Sequence, residues 1–377
     1  MHVDSMSARV WSLYLVTVGL ALLTGTALAA EKSAIDTAIK DVLKASKKAN
    51  VDTDFKPLVE QLLKITDDAI DEDDYPDATR AMTMATDMAR KSGNNQLAHR
   101  ASQKSEEVKI LAKEYKQLTP ALKKLASDEN DMKANRAVGL FRCLGQGRWG
   151  EGADLLNKTN DERLKEIGRQ ELASPASPED EFALAKEWKE AAATDSGWLQ
   201  QCMLRRAHHW AAKAFRQTPS GAEHDKIYEV MSTLPIMYLT DMREVIVKSG
   251  PWGLGKYGDN GTGRRITVDD IKYDLAFGVH PPSDDSFVIR YKINGQYRTL
   301  NAACGLCDSE GEFGGTLAFS IVGDGRQLWS SQAVKKRRDA QFATVNVKGI
   351  QTLELRCEAK GNSVGGHGTW LDPCLSK

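Results

Sequence analysis

The sequence predicts a multidomain chain, an N-terminal α-helical hairpin array followed by an antiparallel β-sandwich, and two observations carry that prediction. From Glu31 to about Tyr228 the residues are rich in Ala, Lys, Glu, Leu, Met and Gln, with apolar positions recurring at helical intervals. After Pro235 short β-branched and aromatic runs alternate with Gly, Asp and Asn, and no long helical crossover separates them. The 377 residues suffice for two or three domains. Lys and Arg number 51 against 52 Asp and Glu, a formal net charge of -1 that argues against global attraction to nucleic acid and leaves only local basic patches to consider.

The first thirty residues form a class of their own. Arg9 precedes an apolar run from Val10 to Leu22, and small residues follow at Ala27, Ala29 and Ala30. This is the pattern of a secretory signal peptide over residues 1–30, cut after Ala29 or Ala30. No later stretch is apolar and long enough to span a bilayer. The expectation is therefore export, to the periplasm, the cell surface or the medium, with no membrane span after cleavage.

The helical region is expected over residues 31–235. Ile35, Ile39, Val42 and Leu43 open an amphipathic pattern that Phe55, Leu58, Leu62 and Leu63 continue. The acidic run Asp71 to Asp74 before Pro76 reads as a helix cap rather than a calcium loop, because it lacks alternating ligands and a central Gly. Met82, Met84 and Met88 read as helix packing. Around Trp149 and across Phe182 to Phe215, bulky and small residues alternate as in stacked hairpins of tetratricopeptide type, although no 34-residue period survives. The adjacent His208 and His209 cannot share one helix face, which disfavours a two-His metal site.

In an oxidising compartment the six cysteines, Cys143, Cys202, Cys304, Cys307, Cys357 and Cys374, are disulfide candidates with fifteen possible pairings. Cys304 and Cys307 are close enough in sequence to pair locally, Cys357 and Cys374 to tie a late strand to the C-terminus, and Cys143 and Cys202 would then join two helices. A redox or zinc role for C-G-L-C is disfavoured, since no strand-to-helix junction, second pair or nearby His accompanies it.

The sandwich is expected over residues 238–377. F-V-I-R-Y-K-I from Phe287 and T-L-E-L-R-C from Thr352 alternate as half-buried strands do. Several separated segments then occur in order: Y-L-T-D from Tyr238, L-G-K-Y-G from Leu254, F-G-V-H-P-P-S from Phe277, A-C-G-L-C-D-S from Ala303, V-G-D-G-R-Q-L-W-S from Val322, V-N-V-K-G-I-Q-T-L-E-L from Val345, and G-H-G-T-W-L-D-P near the end. This succession resembles the NPCBM family of carbohydrate-binding modules, which have a galactose-binding-like jelly-roll fold. The helical region more distantly resembles tetratricopeptide-type segments that precede such modules in secreted planctomycete proteins.

The resemblance implies sugar recognition and, in some relatives, a structural calcium ion. The family's G-x-H-x-x-S segment falls on His280 and Ser283, and its terminal His-x-x-Trp segment on His367 and Trp370. Trp370 offers an apolar face for a sugar ring or a core residue for the sandwich, while His367, Asn301, Asp308 and Arg356 are candidates to bond hydroxyls. Cys307 beside Asp308 departs from the family's paired acids. Trp329 is assigned to the core, Asp324 to a hairpin turn, and the basic run 335–338 to a solvated loop.

Three functions compete at this point. The first is a noncatalytic, secreted carbohydrate-binding or glycan-anchoring protein whose helical scaffold contacts an envelope protein. The second is a structural or assembly protein of the envelope that uses both domains for protein contacts. The third is a glycosidase, disfavoured because no pair of carboxylates is placed across a cleft and the helical half resembles no hydrolase.

Overall fold

The computed structural model describes residues 23–250, 252–283, 285–308, 315–336, 339–361 and 363–377. Residues 1–22 of the expected export signal lie outside the described residues, and the expected cleavage point falls within the first described helix. Among the described residues no helix is long and apolar enough to cross a membrane.

Among the described residues eleven α-helices come first: α1 (Leu23–Ser46), α2 (Val51–Asp71), α3 (Tyr75–Lys91), α4 (Asn95–Gln117), α5 (Thr119–Ser127), α6 (Met132–Leu144), α7 (Trp149–Asn157), α8 (Glu162–Ala173), α9 (Pro178–Ala192), α10 (Gly197–Gln217) and α11 (Ala222–Thr233). Neighbours in sequence pack as neighbours in space, α2 on α3, α3 on α4, α6 on α7 and α9 on α10. Lengths from 9 to 24 residues leave no uniform repeat.

Local chemistry sets the helix ends. Asp74 caps α3 by accepting from the Asp77 N–H at 3.2 Å, with Pro76 in the first turn. Asp73, at φ 59°, instead turns back to Arg142, which donates to both of its oxygens at 2.5 and 2.6 Å. Met82 and Met88 are buried between helices. Gly152 lets α7 approach α6, since a Cβ there would lie 2.8 Å from the Gly139 carbonyl oxygen. Buried Glu171 accepts from the indole N–H groups of Trp188 and Trp210, both at 2.7 Å, and from Arg206 Nε at 2.8 Å, so its charge is paired and bonded.

Twelve strands follow among the described residues: β1 (Ile236–Tyr238), β2 (Ile246–Lys248), β3 (Thr267–Val268), β4 (Ile271–Lys272), β5 (Ala276–Val279), β6 (Ser286–Lys292), β7 (Thr299–Leu306), β8 (Thr316–Gly323), β9 (Arg326–Ser330), β10 (Gln341–Asn346), β11 (Thr352–Lys360) and β12 (Gly368–Ser376). One sheet runs β1-β12-β7-β10 with β5 also on β12; the other runs β2-β6-β11-β8-β9; every pairing is antiparallel. Alternate residues such as Phe287, Ile289 and Tyr291 on β6 and Leu353, Leu355 and Cys357 on β11 are buried between the sheets. The β3–β4 hairpin covers part of the first sheet's outer face through Ile266, Val268, Ala303 and Leu371.

An apolar core continues from α6–α11 into the sandwich through Met231, Leu234, Met237 and Leu239. At this joint Arg216 of α10 donates to both oxygens of buried Asp241 at 2.8 and 2.7 Å. A second contact lies at α4, where His99 stacks on Phe342 of β10 with ring centroids 3.7 Å apart, and Gln96 Nε2 donates to the Tyr273 hydroxyl at 2.6 Å.

The cysteines differ from expectation: among the described residues no disulfide joins any of the six. Cys304 lies in extended β7 and Cys307 just beyond it, so their Cα atoms stand roughly 10 Å apart, too far to bridge. Cys357 packs inside the sandwich near Gly368, at the start of β12, whereas Cys374 sits six residues further along that strand, roughly 20 Å away. Cys143 is held in the α6–α7 contact against Gly152, and Cys202 lies half-buried on α10.

Candidate functional site

The pairing register gathers three loops at one end of the sandwich. Gly368 at the start of β12 sits opposite both Val279 at the end of β5 and Leu306 at the end of β7. The loops that leave β5 and enter β12 therefore meet, and His280 and His367 stand edge to face with centroids 4.2 Å apart at 88°. Ser283 and Ser363 join the same two loops through a hydroxyl–hydroxyl contact of 2.8 Å.

The third loop, between β2 and β3, is laid over β5 by backbone contacts that exclude side chains. Gly255 and Gly278 exchange N–H···O bonds at 3.0 and 3.1 Å, and a Cβ on Gly278 would lie 2.4 Å from Asn260 backbone atoms. Buried Asn260 folds its own loop by accepting from the Thr262 N–H at 2.9 Å and the Thr262 hydroxyl at 2.8 Å. Its backbone carbonyl lies 2.8 Å from His280 Nε2. A carbonyl only accepts, so Nε2 carries the hydrogen and the tautomer of His280 is fixed by the loop.

This loop presents Trp252. Its side chain is 60% exposed, and its ring centroid stands 6.4 Å from that of His280. An exposed indole beside imidazoles and hydroxyls provides an apolar surface for the C–H face of a sugar ring and polar groups for its hydroxyls.

The structure brings together only part of the predicted set. His280, Ser283 and His367 share the loop end. Trp370 does not: it is fully buried in the sandwich, 5.3 Å from Phe319 and 6.3 Å from Trp329 between ring centroids, so the reading as a stacking platform gives way to the reading as core. Asp308 caps a turn, accepting from the backbone N–H groups of Asp269 at 3.2 Å and Asp270 at 2.9 Å. Those two residues join β3 to β4 with φ of 51° and 66°, a primed hairpin turn whose donors Asp308 satisfies. Arg356 lies on the outer face of the second sheet, bonded to Glu354 at 2.7 Å beside Arg290. Asn301 is on the outer face of the first sheet, where its Oδ1 accepts from the Thr344 hydroxyl at 2.9 Å. Of the basic run 335–338, Arg337 and Arg338 lie outside the described residues.

A structural calcium ion takes backbone and amide carbonyl oxygens as well as carboxylates. Among the described residues no group of three or more His, Cys, Asp or Glu is arranged to hold a metal ion. Asp259 accepts from the Gly261 N–H at 2.6 Å, and Asp308 from the turn described above.

Residues 236–376 match the family profile of the NPCBM/NEW2 domain. This part of the chain is an NPCBM domain. Over 175 residues the chain is 29% identical to a Renibacterium salmoninarum protein named "Putative endo-alpha-N-acetylgalactosaminidase", a match that covers 43% of this chain and 11% of that protein. The chain thus spans about a tenth of the length of this relative. Similar solved structures include CBM51 from Clostridium perfringens GH95 in complex with methyl-galactose, at 20% identity and a TM-score of 0.34, covering 37% of this chain and 99% of that one. They also include the tandem CBM51 modules of Sp3GH98 from Streptococcus pneumoniae, at 20% identity and a TM-score of 0.34, covering 38% and 47%.

Trp252 was missed in reading the NPCBM domain from sequence. Its signal is the context G-P-W-G, a Trp between Gly and Pro outside any alternating run, with no strand to bury it.

Proposed function

We propose that the protein is a noncatalytic, exported carbohydrate-binding protein in which the loop end of the NPCBM domain holds a sugar and the helical array serves as an interaction scaffold. The observation that carries this reading is the exposed Trp252 indole beside the His280–His367 pair. Such a site stacks the apolar face of a pyranose on the indole while Ser283 and His367 bond its hydroxyls. Among the described residues the side chains brought together around Trp252 and His280 are imidazoles and hydroxyls, whereas glycoside hydrolysis needs two carboxylates about 5 to 10 Å apart. Export is supported by the basic, apolar and small-residue succession of residues 1–30. An envelope protein is the partner proposed for the helices.

The name of the Renibacterium relative makes glycans bearing alpha-linked N-acetylgalactosamine the first probes, followed by galactosides. Applied to a glycan array, the full chain is expected to bind a restricted set and to release no reducing sugar from it on incubation. Release of sugar, abolished by a carboxylate substitution in a folded variant, would replace this reading with a hydrolase.

A further inference from the structure

A cleft of about 530 Å³ separates α4 from the outer face of the first sheet and the β4–β5 segment. Its helix wall is Gln96, His99, Arg100 and Gln103, positions i, i+3, i+4 and i+7 of one face. A helix face turned toward a sheet is ordinarily apolar, because it buries a stripe there; this one is polar throughout. Where the helix and sheet do meet, His99 stacks on Phe342 and Gln96 bonds Tyr273, so the cleft is bounded by ordered contacts.

The polar groups facing it are only partly satisfied within the protein. Gln96 is 1% exposed, its Nε2 is committed to Tyr273, and its Oε1 has no hydrogen-bond partner among the described residues. Asn301 spends its Oδ1 on Thr344. On the opposite wall Asp372 has its backbone N–H bonded to Leu275, while no hydrogen bond or ion pair of its carboxylate occurs among the described residues. The charged side chains of the lining are Arg100, Lys272, Asp274 and Asp372, two of each sign, which disfavours a strongly ionic ligand. Phe342, Ala303 and Leu371 add apolar surface beside these donors and acceptors.

We propose that this cleft is a second binding site, for a neutral polyhydroxylated ligand of one or two sugar rings, held jointly by α4 and the NPCBM domain. A volume of about 530 Å³ suits such a ligand. Mixed apolar and hydrogen-bonding walls without net charge are the chemistry of pyranose recognition. The site does not depend on the loop end, and a ligand seated in it touches both halves of the chain, so its occupancy is linked to their association.

The test uses the full chain carrying Trp252→Ala, which removes the loop-end platform, with methyl-galactoside, N-acetylglucosamine and N-acetylgalactosamine as probes in calorimetry and saturation-transfer NMR. The expected result is saturable binding of at least one sugar by this variant. Adding Thr344→Trp, which fills the cleft from an exposed edge, or Asp372→Asn is expected to weaken that binding about tenfold or more. Thermal melts establish that each variant is folded, and Thr344→Trp decides the matter should Asp372→Asn be unstable. Absence of saturable binding in Trp252→Ala, or binding that Thr344→Trp leaves unchanged, overturns the second site. The loop-end reading fails separately, if Trp252→Ala binds as the unaltered protein does while Thr344→Trp abolishes binding.

Discussion

Arg216 on α10 grips Asp241 at the start of the sandwich through two parallel bonds, Nε to Oδ1 at 2.8 Å and Nη2 to Oδ2 at 2.7 Å. The Asp241 carboxylate is fully buried against this guanidinium. The pair stands beside the continuous core that runs from the helices into the NPCBM domain, and it ties the two halves of the chain together.

Removing the guanidinium leaves a buried carboxylate without its partner. Arg216→Ala is expected to cost about 3 kcal/mol in urea unfolding, and Arg216→Lys to recover only part of that loss because an ammonium cannot make the two parallel bonds. A cost below about 0.5 kcal/mol for the alanine variant would show that the joint is held by the apolar core alone.

The two tryptophans assigned to different roles are expected to separate cleanly. Trp370→Ala opens a cavity among Phe319, Trp329 and the strands and is expected to destabilise by about 3 to 5 kcal/mol. Trp252→Ala, at an exposed position, is expected to leave the melting temperature nearly unchanged and to reduce glycan binding. Equal losses of stability in the two variants would refute the division.

Asp372 gives a pH dependence of defined sign. Although the residue reaches solvent within the cleft, crowding by protein atoms and then Asp274 push its carboxyl up to about 6. The ordinary value is about 3.9. The folded state thus binds this proton more tightly than the unfolded one, so the group adds stability as pH falls from about 7 toward 4 and subtracts it as pH rises through 6. The melting temperature of Asp372→Asn is therefore expected to gain on the unaltered protein at pH 7.5 and to lose that advantage by about pH 4. Asn also tolerates the φ of 44° at this position. A difference that does not vary with pH would remove Asp372 from the account.

Thiol chemistry tests the cysteine geometry. Burial pushes the thiols of Cys143 to about 12 and of Cys304 and Cys357 well above their ordinary range, so the folded protein is expected to resist alkylation at these three. After denaturation without reductant, mass spectrometry is expected to find all six cysteines alkylated. Loss of two alkylations with a cross-link mapped to Cys304 and Cys307, or to Cys357 and Cys374, would show a disulfide that the strand geometry excludes.

What sequence made legible follows from where information is local. Helices announce themselves through periodic residues such as Ile35, Ile39 and Val42, and strands through alternation such as Phe287 to Ile293, because burial on one face repeats at short range. The family segments that fix chain direction at His280 and His367 are likewise short. Asp308 was opaque because the donors it satisfies lie 38 and 39 residues away in the turn at Asp269 and Asp270. Trp370 and Trp252 could not be ranked without the sheet register, which turns the first into the core opposite Cys304. The cysteines misled because three residues span a loop or a strand equally well in sequence, and only the extended β7 sets Cys304 and Cys307 apart.

The most direct test of the account is a calorimetric titration of the full chain, side by side with Trp252→Ala and with Trp370→Phe, against a glycan bearing alpha-linked N-acetylgalactosamine and against methyl-galactoside. Saturable binding is expected of the unaltered protein and of Trp370→Phe, with a loss of about tenfold or more at the loop end in a fully folded Trp252→Ala. Binding that is unchanged in Trp252→Ala but abolished in a folded Trp370→Phe would contradict it.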